Sequence, residues 1–323
     1  MRRISHFLRI LPDLTVRLLR YGRPRRVLLF GAHSLGDDLL CTTVLHEARR
    51  RGQPFAIMTS RPELFRGNTD PSALLPVDDD YAQALRRLGA RVIQPYYAGR
   101  DPGNPHRDVF QPHHILIEMC RLAGITGEIT LRPYLHLSPE EQREGRMFAR
   151  QITVHSSCGS AAFPFTTKEW GAERFAAVAR ALAGEFKLIQ IGAAADPPLP
   201  VDVDLRGRTT LRQAAAILAA SEAFVGLEGF LSHLARAVDC PAVVIIGGRV
   251  RPETVGYACN INLDTSIACA PCGLRDGCPY ELACMQGVTP AMVVAATQSL
   301  TARRAPRPLP AETAFVPQEA AAP

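Results

Sequence analysis

The sequence predicts an α/β protein built from two similar halves. Short runs of β-forming residues alternate with helical patterns, which is the rhythm of parallel βαβ units. The rhythm runs from about residue 26 to 137 and begins again near residue 151. The length of 323 residues also suits two domains better than one, because domains usually hold roughly 100 to 200 residues.

The composition and the placement of charge narrow the class of protein further. Hydrophobic residues make up 47% and charged residues 21%, as expected of a folded globular chain. The net charge is +6, but the first 26 residues hold eight Arg against one Asp, so the other 297 residues sum to −1. Proteins that bind nucleic acid usually spread Lys and Arg over a folded face, so we expect no nucleic-acid partner.

Residues 1–26 form a basic segment in which leucines recur at helical spacing between arginines. This pattern predicts an amphipathic helix with two open roles, docking on an anionic membrane surface or packing its leucines on the domain. Arg9, Asp13 and Arg17 interrupt any signal-peptide core, and no apolar run is long enough to span a bilayer. We therefore expect a cytoplasmic protein, with peripheral attachment to the inner face of the cytoplasmic membrane as an open role.

The elements follow in chain order. In the first half we predict strands at 27–30, 55–58 and 91–93, with helices after residue 37 and near 81–88. Ser138, Pro139 and Glu141 supply an N-cap, an N1 proline and a capping-box Glu, which predict a helix between the halves. In the second half we predict strands at 152–155, 187–191, 223–225 and 242–246, and helices at 172–183, 211–220 and 229–238.

The end of the chain contains a last helix and a proline-rich tail. The helix begins with Thr289 as N-cap and Pro290 at N1. Residues 303–323 carry five prolines and few large apolar side chains, which predicts disorder. The chain is thus divided into a basic segment at 1–26, a first domain at 27–137, a second domain at 138–302 and a tail at 303–323.

Three segments carry residues suited to chemistry at the carboxyl edges of strands, where ligands bind in open α/β sheets. The first is the segment 31–38, in which Asp37 opens a helix and either caps it or acts in catalysis. In the second, Lys168 can hold a phosphate or be a surface lysine beside Trp170. The third is the glycine turn at 226–234, where a helix N-terminus suits a diphosphate and His233 lies in the first turn.

Four cysteines fall within 16 residues in the spacing C-x2-C-x5-C-x5-C, namely Cys269, Cys272, Cys278 and Cys284. Four thiols at such spacing suit a tetrahedral zinc or iron ion, and free thiols are the alternative. A disulfide framework is not expected in a reducing compartment. The other five cysteines are scattered and are interpreted as small core residues.

Taken together, these segments resemble glycosyltransferase family 9, the family of ADP-heptose lipopolysaccharide heptosyltransferases. The resemblance covers about residues 26–300 and rests on Ser34-Leu35-Gly36-Asp37, Lys168 with Trp170, Leu205-Arg206-Gly207, and Glu228-Gly229-Phe230-Leu231-Ser232-His233. The cysteines resemble a subset of that family with a cysteine-bearing insertion. The resemblance implies the GT-B fold, in which two Rossmann-like domains with parallel sheets face each other across a cleft.

The resemblance also implies an activity and roles for residues. A sugar, with heptose from ADP-heptose as the expected donor group, would pass with inversion to a hydroxyl of a glycan or lipid-linked acceptor such as lipopolysaccharide core. Asp37 would be the general base and Lys168 would neutralise the departing diphosphate. The residues expected to bind the donor are Thr167, Glu228, Gly229, Leu231, Ser232 and His233. Catalysis would need no cofactor, and any zinc or iron at the four cysteines would be structural.

One departure from the family pattern bears on the sugar pocket. The family commonly has Asp-Ser/Thr-Gly where this chain has Glu228-Gly229-Phe230, so the acid is longer and the third glycine is missing. Because fold and motif do not fix donor or acceptor, a different class of function stays open. That alternative is a catalytically inactive sugar-nucleotide binding or scaffold protein of the same fold.

Overall fold

The computed structural model describes residues 15–30, 34–160, 164–303 and 307–317. Most of the basic segment (residues 1–14), the start of the first glycine loop (31–33) and the final residues 318–323 lie outside the described parts. Within them, the chain forms two α/β domains in the predicted order, with parallel sheets in both. No helix of the described residues is long and apolar enough to cross a membrane.

The first domain is built on a parallel sheet of four strands in the order β3-β2-β1-β4. Its strands are β1 (Arg26–Phe30), β2 (Ala56–Thr59), β3 (Leu74–Leu75) and β4 (Arg91–Ile93). Its helices are α1 (Leu35–Arg50), α2 (Asp79–Arg87) and α3 (Ile115–Leu122). Helix α1 buries most of its length, because it lies between the sheet, α3 and the second domain.

The second domain has a parallel sheet of six strands in the order β10-β9-β8-β11-β12-β13. These strands are β8 (Gln151–Val154), β9 (Lys187–Gln190), β10 (Val203–Asp204), β11 (Ala223–Leu227), β12 (Ala242–Ile245) and β13 (Ile261–Leu263). The helices are α5 (Ala172–Leu182), α6 (Leu211–Ala220), α7 (Phe230–Ala237), α8 (Pro252–Val255), α9 (Ala283–Gly287) and α10 (Pro290–Ala302). Strands β8, β11 and β12 are wholly buried, as expected of central strands covered on both faces.

The helix predicted between the halves is α4 (Pro139–Glu144), which begins with the predicted Ser138 capping box but ends after six residues. It takes part in the contact between the domains through Arg212 of α6, which is buried. The Arg212 guanidinium donates to both Glu141 carboxylate oxygens at 2.5 and 2.6 Å and to the carbonyls of Glu63 at 3.0 Å and His136 at 2.6 Å. One side chain thereby joins the first domain, the connecting helix and the second domain.

A hairpin not predicted from the sequence makes a second contact between the domains. Strands β5 (Ala98–Asp101) and β6 (Asn104–Phe110) pair antiparallel, and β6 lies against the cysteine segment, residues 269–284. The Asp108 N–H donates to the Gly273 carbonyl at 2.9 Å, and the Asp108 carboxylate accepts from Arg249 and Arg275. The hairpin is thus fixed to the second domain by both backbone and buried charge.

The predicted disordered tail at 303–323 is wrong for residues 307–317. Strand β14 (Thr313–Val316) pairs antiparallel with β7 (Gly127–Thr130) of the first domain, and Val316 is fully buried. The proline content predicted disorder, but pairing with a strand far away in the sequence stabilises this segment, because the pairing buries apolar side chains and satisfies backbone hydrogen-bonding groups. Residues 304–306 and 318–323 lie outside the described parts.

The described end of the basic segment is helical over residues 15–21. Leu18 and Tyr21 pack on the apolar cluster formed by β1, β2 and α2, and Arg17 forms an ion pair with Asp78. Leu19 on the other face is 82% exposed. Part of the segment therefore packs on the first domain, while the apolar side chains of Val16 and Leu19 remain exposed.

Candidate active site

A cleft of about 550 Å³ lies between the two domains at the carboxyl edges of both sheets. Helix α1 of the first domain and helix α7 of the second begin there, and a Cβ at Gly36 would lie 3.7 Å from the Phe230 Cα. The two helix N-termini therefore meet across the cleft. Because the first N–H groups of a helix lack acceptors within it, both ends favour negative charge.

Asp37 enters the cleft from the first turn of α1. Ser34 caps this helix, its side chain accepting from the Asp37 N–H at 3.3 Å. Asp37 is buried, with 5% of the residue exposed, and its Oδ1 accepts a hydrogen bond from the Tyr97 hydroxyl at 3.0 Å. The neighbouring Asp38 points elsewhere, since its carboxylate pairs with Arg61 at 2.5 Å. Ser34, and neither of the two adjacent acids, therefore caps the helix. Of those acids, Asp37 is the one that lines the cleft.

Lys168 enters from the second domain at the end of a 3-10 turn, Thr166–Lys168. Its Nζ forms an ion pair with the Glu228 carboxylate and lies 4.9 Å from the centre of the Phe165 ring. Burial would raise the pKa of Glu228, but Lys168 and then His233 outweigh it and lower that pKa overall. Glu228 is therefore an anion at neutral pH, and any phosphate that binds Lys168 meets this carboxylate.

The turn at the start of α7 brings most of the predicted donor-binding residues together. The residues of this set that line the cleft are Glu228, Gly229, Leu231 and His233. Gly229 is the N-cap with φ of 153°, a backbone conformation that disfavours a side chain. Ser232 does not face the cleft opening, because its hydroxyl is engaged with the Gly229 backbone, donating to the carbonyl at 2.8 Å.

His233 lies behind Glu228 and is buried. Burial lowers the pKa of His233 to about 4, so the ring is neutral at neutral pH. Its Nδ1 lies 2.8 Å from the Tyr257 hydroxyl and its Nε2 lies 3.8 Å from Glu228 Oε1. A neutral ring that accepts from Tyr257 at Nδ1 carries its proton on the nitrogen facing Glu228. The histidine therefore acts on the cleft as a dipole and not as a cation.

Thr167, like Ser232, is a predicted donor-binding residue that does not line the cleft. Its hydroxyl donates to the Leu274 carbonyl at 2.6 Å, and the side chain lines a second cavity beside the cysteine segment. Adjacent side chains of a 3-10 turn point in different directions, so Lys168 and Thr167 face different cavities. Trp170 is buried as an anchor, its Nε1–H donating to the Val288 carbonyl at 2.8 Å.

The four cysteines line that second cavity, which measures about 840 Å³. The structure does not assemble the predicted metal site from them, because no three His, Cys, Asp or Glu side chains in the described ranges are placed to hold one ion. All four are free thiols. Cys284 is the buried member, and burial raises the pKa of its thiol.

The cleft also contains polar residues that the motifs did not point to. Arg61 and Tyr97 line it from the first domain, and His155 and Asp196 line it from the second. The Asp196 carboxylate accepts from the Ala193 N–H at 2.8 Å and lies 3.5 Å from His155. These residues stand at the ends of strands or in loops, where no hydrophobic period marks them.

Two domains with parallel sheets that face each other across one cleft are the architecture of the GT-B fold class of glycosyltransferases. Residues 128–276 match the family model described as glycosyltransferase family 9 (heptosyltransferase). The resemblance inferred from the motifs is thereby confirmed, and the chain is a glycosyltransferase. Its resemblance to a cysteine-bearing subset of the family stays a prediction. No curated protein matches the sequence significantly.

Solved structures with the same fold cover most of the chain. A family 9 glycosyltransferase from Veillonella parvula DSM 2008 is 16% identical, with a TM-score of 0.63 over 87% of this chain and 97% of that one. The iron-containing dodecameric glycosyltransferase TibC from enterotoxigenic E. coli H10407 is 18% identical, with a TM-score of 0.66 over 87% and 77%. E. coli ADP-heptose lps heptosyltransferase II is 17% identical, with a TM-score of 0.61 over 86% and 99%. At these identities the likeness is one of fold.

Proposed function

We propose that the protein transfers a heptose from an ADP-heptose donor, with inversion, to a hydroxyl of a glycan acceptor such as lipopolysaccharide core. The observation that carries the proposal is the placement of Asp37 and Lys168 on opposite walls of one cleft. The family description names heptosyltransferases, and TibC was solved in complex with ADP-D-beta-D-heptose, which supports the donor. The acceptor follows from the same family resemblance.

Asp37 acts as the general base in this scheme. A sugar hydroxyl is a weak nucleophile until its proton is removed as the new bond forms, and a carboxylate within hydrogen-bond reach removes it. The hydroxyl oxygen attacks the anomeric carbon on the face opposite the diphosphate, the bond from that carbon to the phosphate oxygen breaks, and the proton goes to Asp37. Inversion follows because the bond forms and breaks on opposite faces.

Residues of the second domain stabilise the negative charge on the departing ADP. Lys168 and the N–H groups at the start of α7 lie where the negative charge on the diphosphate grows, and such fixed charges and dipoles stabilise it without moving. Glu228 accepts hydrogen bonds from hydroxyls of the sugar or ribose while it holds Lys168 in place. His233 supports Glu228 from behind. The scheme uses residues of this chain alone and calls on no cofactor.

Release of ADP from ADP-heptose tests this function against the inactive binding alternative. With heptose-free lipopolysaccharide core as acceptor, we expect turnover by the parent and slow ADP release when water replaces the acceptor. Asp37→Asn should lower both rates by the ~10²- to 10⁴-fold typical of losing a general base, with ADP affinity kept. Binding of the donor without any ADP release by the parent would establish the binding protein instead.

We also propose that the basic segment, residues 1–26, attaches the enzyme to an anionic membrane surface, where a lipid-linked acceptor would lie. Its eight arginines carry the excess charge, and the exposed Leu19 adds an apolar contact. Each basic residue near such a surface contributes about 1 kcal/mol. The test is co-sedimentation with vesicles of phosphatidylglycerol or of phosphatidylcholine, with and without residues 1–26. Binding that ignores lipid charge, or that survives the deletion unchanged, would contradict the proposal.

A further inference from the structure

A hydrogen bond from the Tyr97 hydroxyl links Asp37, the proposed base, to the loop before β5, and no sequence motif pointed to Tyr97. Its hydroxyl donates to Asp37 Oδ1 at 3.0 Å. Burial, and after it the Asp37 charge, raises the pKa of Tyr97 well above 10. The phenol therefore keeps its proton over any working pH and remains a hydrogen-bond donor to the carboxylate.

We infer that Tyr97 is a positioning residue for Asp37, an inference that rests on the proposed function. A carboxylate at the end of a short side chain rotates about two bonds, and only some orientations present an oxygen to the acceptor hydroxyl. The Tyr97 O–H holds Oδ1 in one place, so the direction of the whole carboxylate is fixed before the acceptor arrives. Preorganisation of this kind speeds the reaction because the base needs no reorientation in the transition state.

The support behind Tyr97 crosses from one domain to the other. The Tyr97 ring stacks on Phe110 of β6, with centroids 6.3 Å apart and planes 26° apart. The Arg249 guanidinium of the second domain lies 5.1 Å from the centre of the Phe110 ring, and also 4.5 Å from that of Phe165. Arg249 is held in turn by Asp108 of the hairpin. A row of packed groups thus runs from Asp37 through Tyr97, Phe110, Arg249 and Phe165 to the Lys168 ammonium.

This arrangement makes the position of the base depend on how the hairpin lies against the second domain. Asp37 and Tyr97 both lie in the first domain. The Phe110 ring that packs on Tyr97, however, also contacts Arg249 of the second domain. The donor-binding lysine shares the Phe165 ring at the other end of the row. The arrangement of the two domains in which Tyr97 orients Asp37 is therefore the same one in which Lys168 can bind the diphosphate.

The test is Tyr97→Phe in the full chain, which keeps the ring and removes the hydroxyl alone. The readout is ADP release from ADP-heptose with heptose-free lipopolysaccharide core. We expect kcat to fall about ten-fold, the lower range for a hydrogen bond to a charged group, while KM for the donor stays unchanged. The matched control is Tyr81→Phe, which removes a hydroxyl that donates to the Gly22 carbonyl at 2.7 Å outside the cleft and should leave kcat unchanged.

Asp37→Asn separates failure of this inference from failure of the proposed function. If Tyr97 acts through Asp37, adding Tyr97→Phe to Asp37→Asn should lower the residual rate no further. Loss of activity in Asp37→Asn with parent kcat in Tyr97→Phe would overturn the role of Tyr97 and leave the base intact. Full activity in Asp37→Asn would overturn the proposed base itself. An equal further loss in the double variant would show that Tyr97 acts independently of Asp37.

Discussion

The ion pair between Lys168 and Glu228 makes a specific prediction about nucleotide affinity. Lys168→Met removes a cation from the diphosphate and at the same time leaves Glu228 without its main partner. The lost charged hydrogen bond should cost about 1.5 to 3 kcal/mol, a roughly 10- to 150-fold weaker affinity for ADP. The carboxylate left behind also repels the phosphate, and two like charges about 5 Å apart repel by on the order of 3 kcal/mol at an effective dielectric constant near 20.

The repulsion between the Glu228 carboxylate and the phosphate is expected only if Lys168 and Glu228 act as a pair, so it distinguishes this structure from one in which Lys168 acts alone. Lys168→Met combined with Glu228→Gln removes the cation and the repelling anion together, and the glutamine keeps the size and hydrogen-bonding capacity of the side chain. We therefore expect the double variant to bind ADP about ten-fold or more tightly than Lys168→Met, though still more weakly than the parent.

Isothermal titration with ADP measures the effect, and ADP without sugar keeps any contact of Glu228 with the sugar out of the comparison. Lys187→Met is the matched control, because that lysine pairs with Asp202 on the protein surface at 2.6 Å and does not line the cleft. The reasoning is refuted if the double variant binds ADP no more tightly than Lys168→Met, or if Lys168→Met binds it as tightly as the parent.

Two further predictions concern the contact between the domains and the cysteines. Arg212→Ala should lower the free energy of unfolding by about 3 kcal/mol, because it removes a buried guanidinium that donates to the Glu141 carboxylate and to two backbone carbonyls, whereas the exposed Arg208→Ala should change it little. The hydrogen bonds from Arg212, with smaller contributions from the Ser138 N–H and the Arg66 charge, lower the pKa of Glu141 from 4.5 to about 2. The stabilisation from this carboxylate is therefore complete above pH 4.5 and is lost as the pH falls towards 2. Denaturant titrations of both variants at pH 7 and pH 3 check the prediction, and an equal loss for Arg212→Ala at both pH values would contradict it. For the four cysteines, elemental analysis should find well under one equivalent of zinc or iron. Titration of the thiols in the native protein should find Cys284 the slowest to react, because it is buried and its pKa is raised. One equivalent of metal with four protected thiols would show instead that the cysteines bind a metal ion.

Local sequence patterns predicted the sheets and most of the helices around the cleft. The runs that became β8, β11 and β12 are short, apolar and bounded by turn residues, which is sufficient when a strand is buried on both faces. Ser138 and Thr289 marked helix starts correctly, because capping depends on a few neighbouring residues. Asp37 was placed at a helix start on the sheet edge by the same kind of evidence.

What the sequence did not predict depends on contacts between distant residues. The hairpin of β5 and β6 contains polar residues, glycines and prolines, and its position is set by Asp108 meeting Arg249 and Arg275. Tyr97 lies in a loop without hydrophobic period, so its contact with Asp37 could not be seen locally. The ion pair of Lys168 with Glu228 joins two motifs 60 positions apart that were each interpreted separately.

The return of the chain end to the first domain has a consequence for folding during synthesis. Strand β7 receives its partner only when residues 313–316 have been made, after the whole second domain. Protein domains emerge from the ribosome at about 5–20 residues per second, and the first can usually fold before the next appears. Here an edge of the first domain stays uncovered for roughly 9 to 40 seconds, the time needed to add the intervening residues at that speed. Its completion is therefore the last step of assembly, and a shortened chain would expose that edge to pairing with other chains.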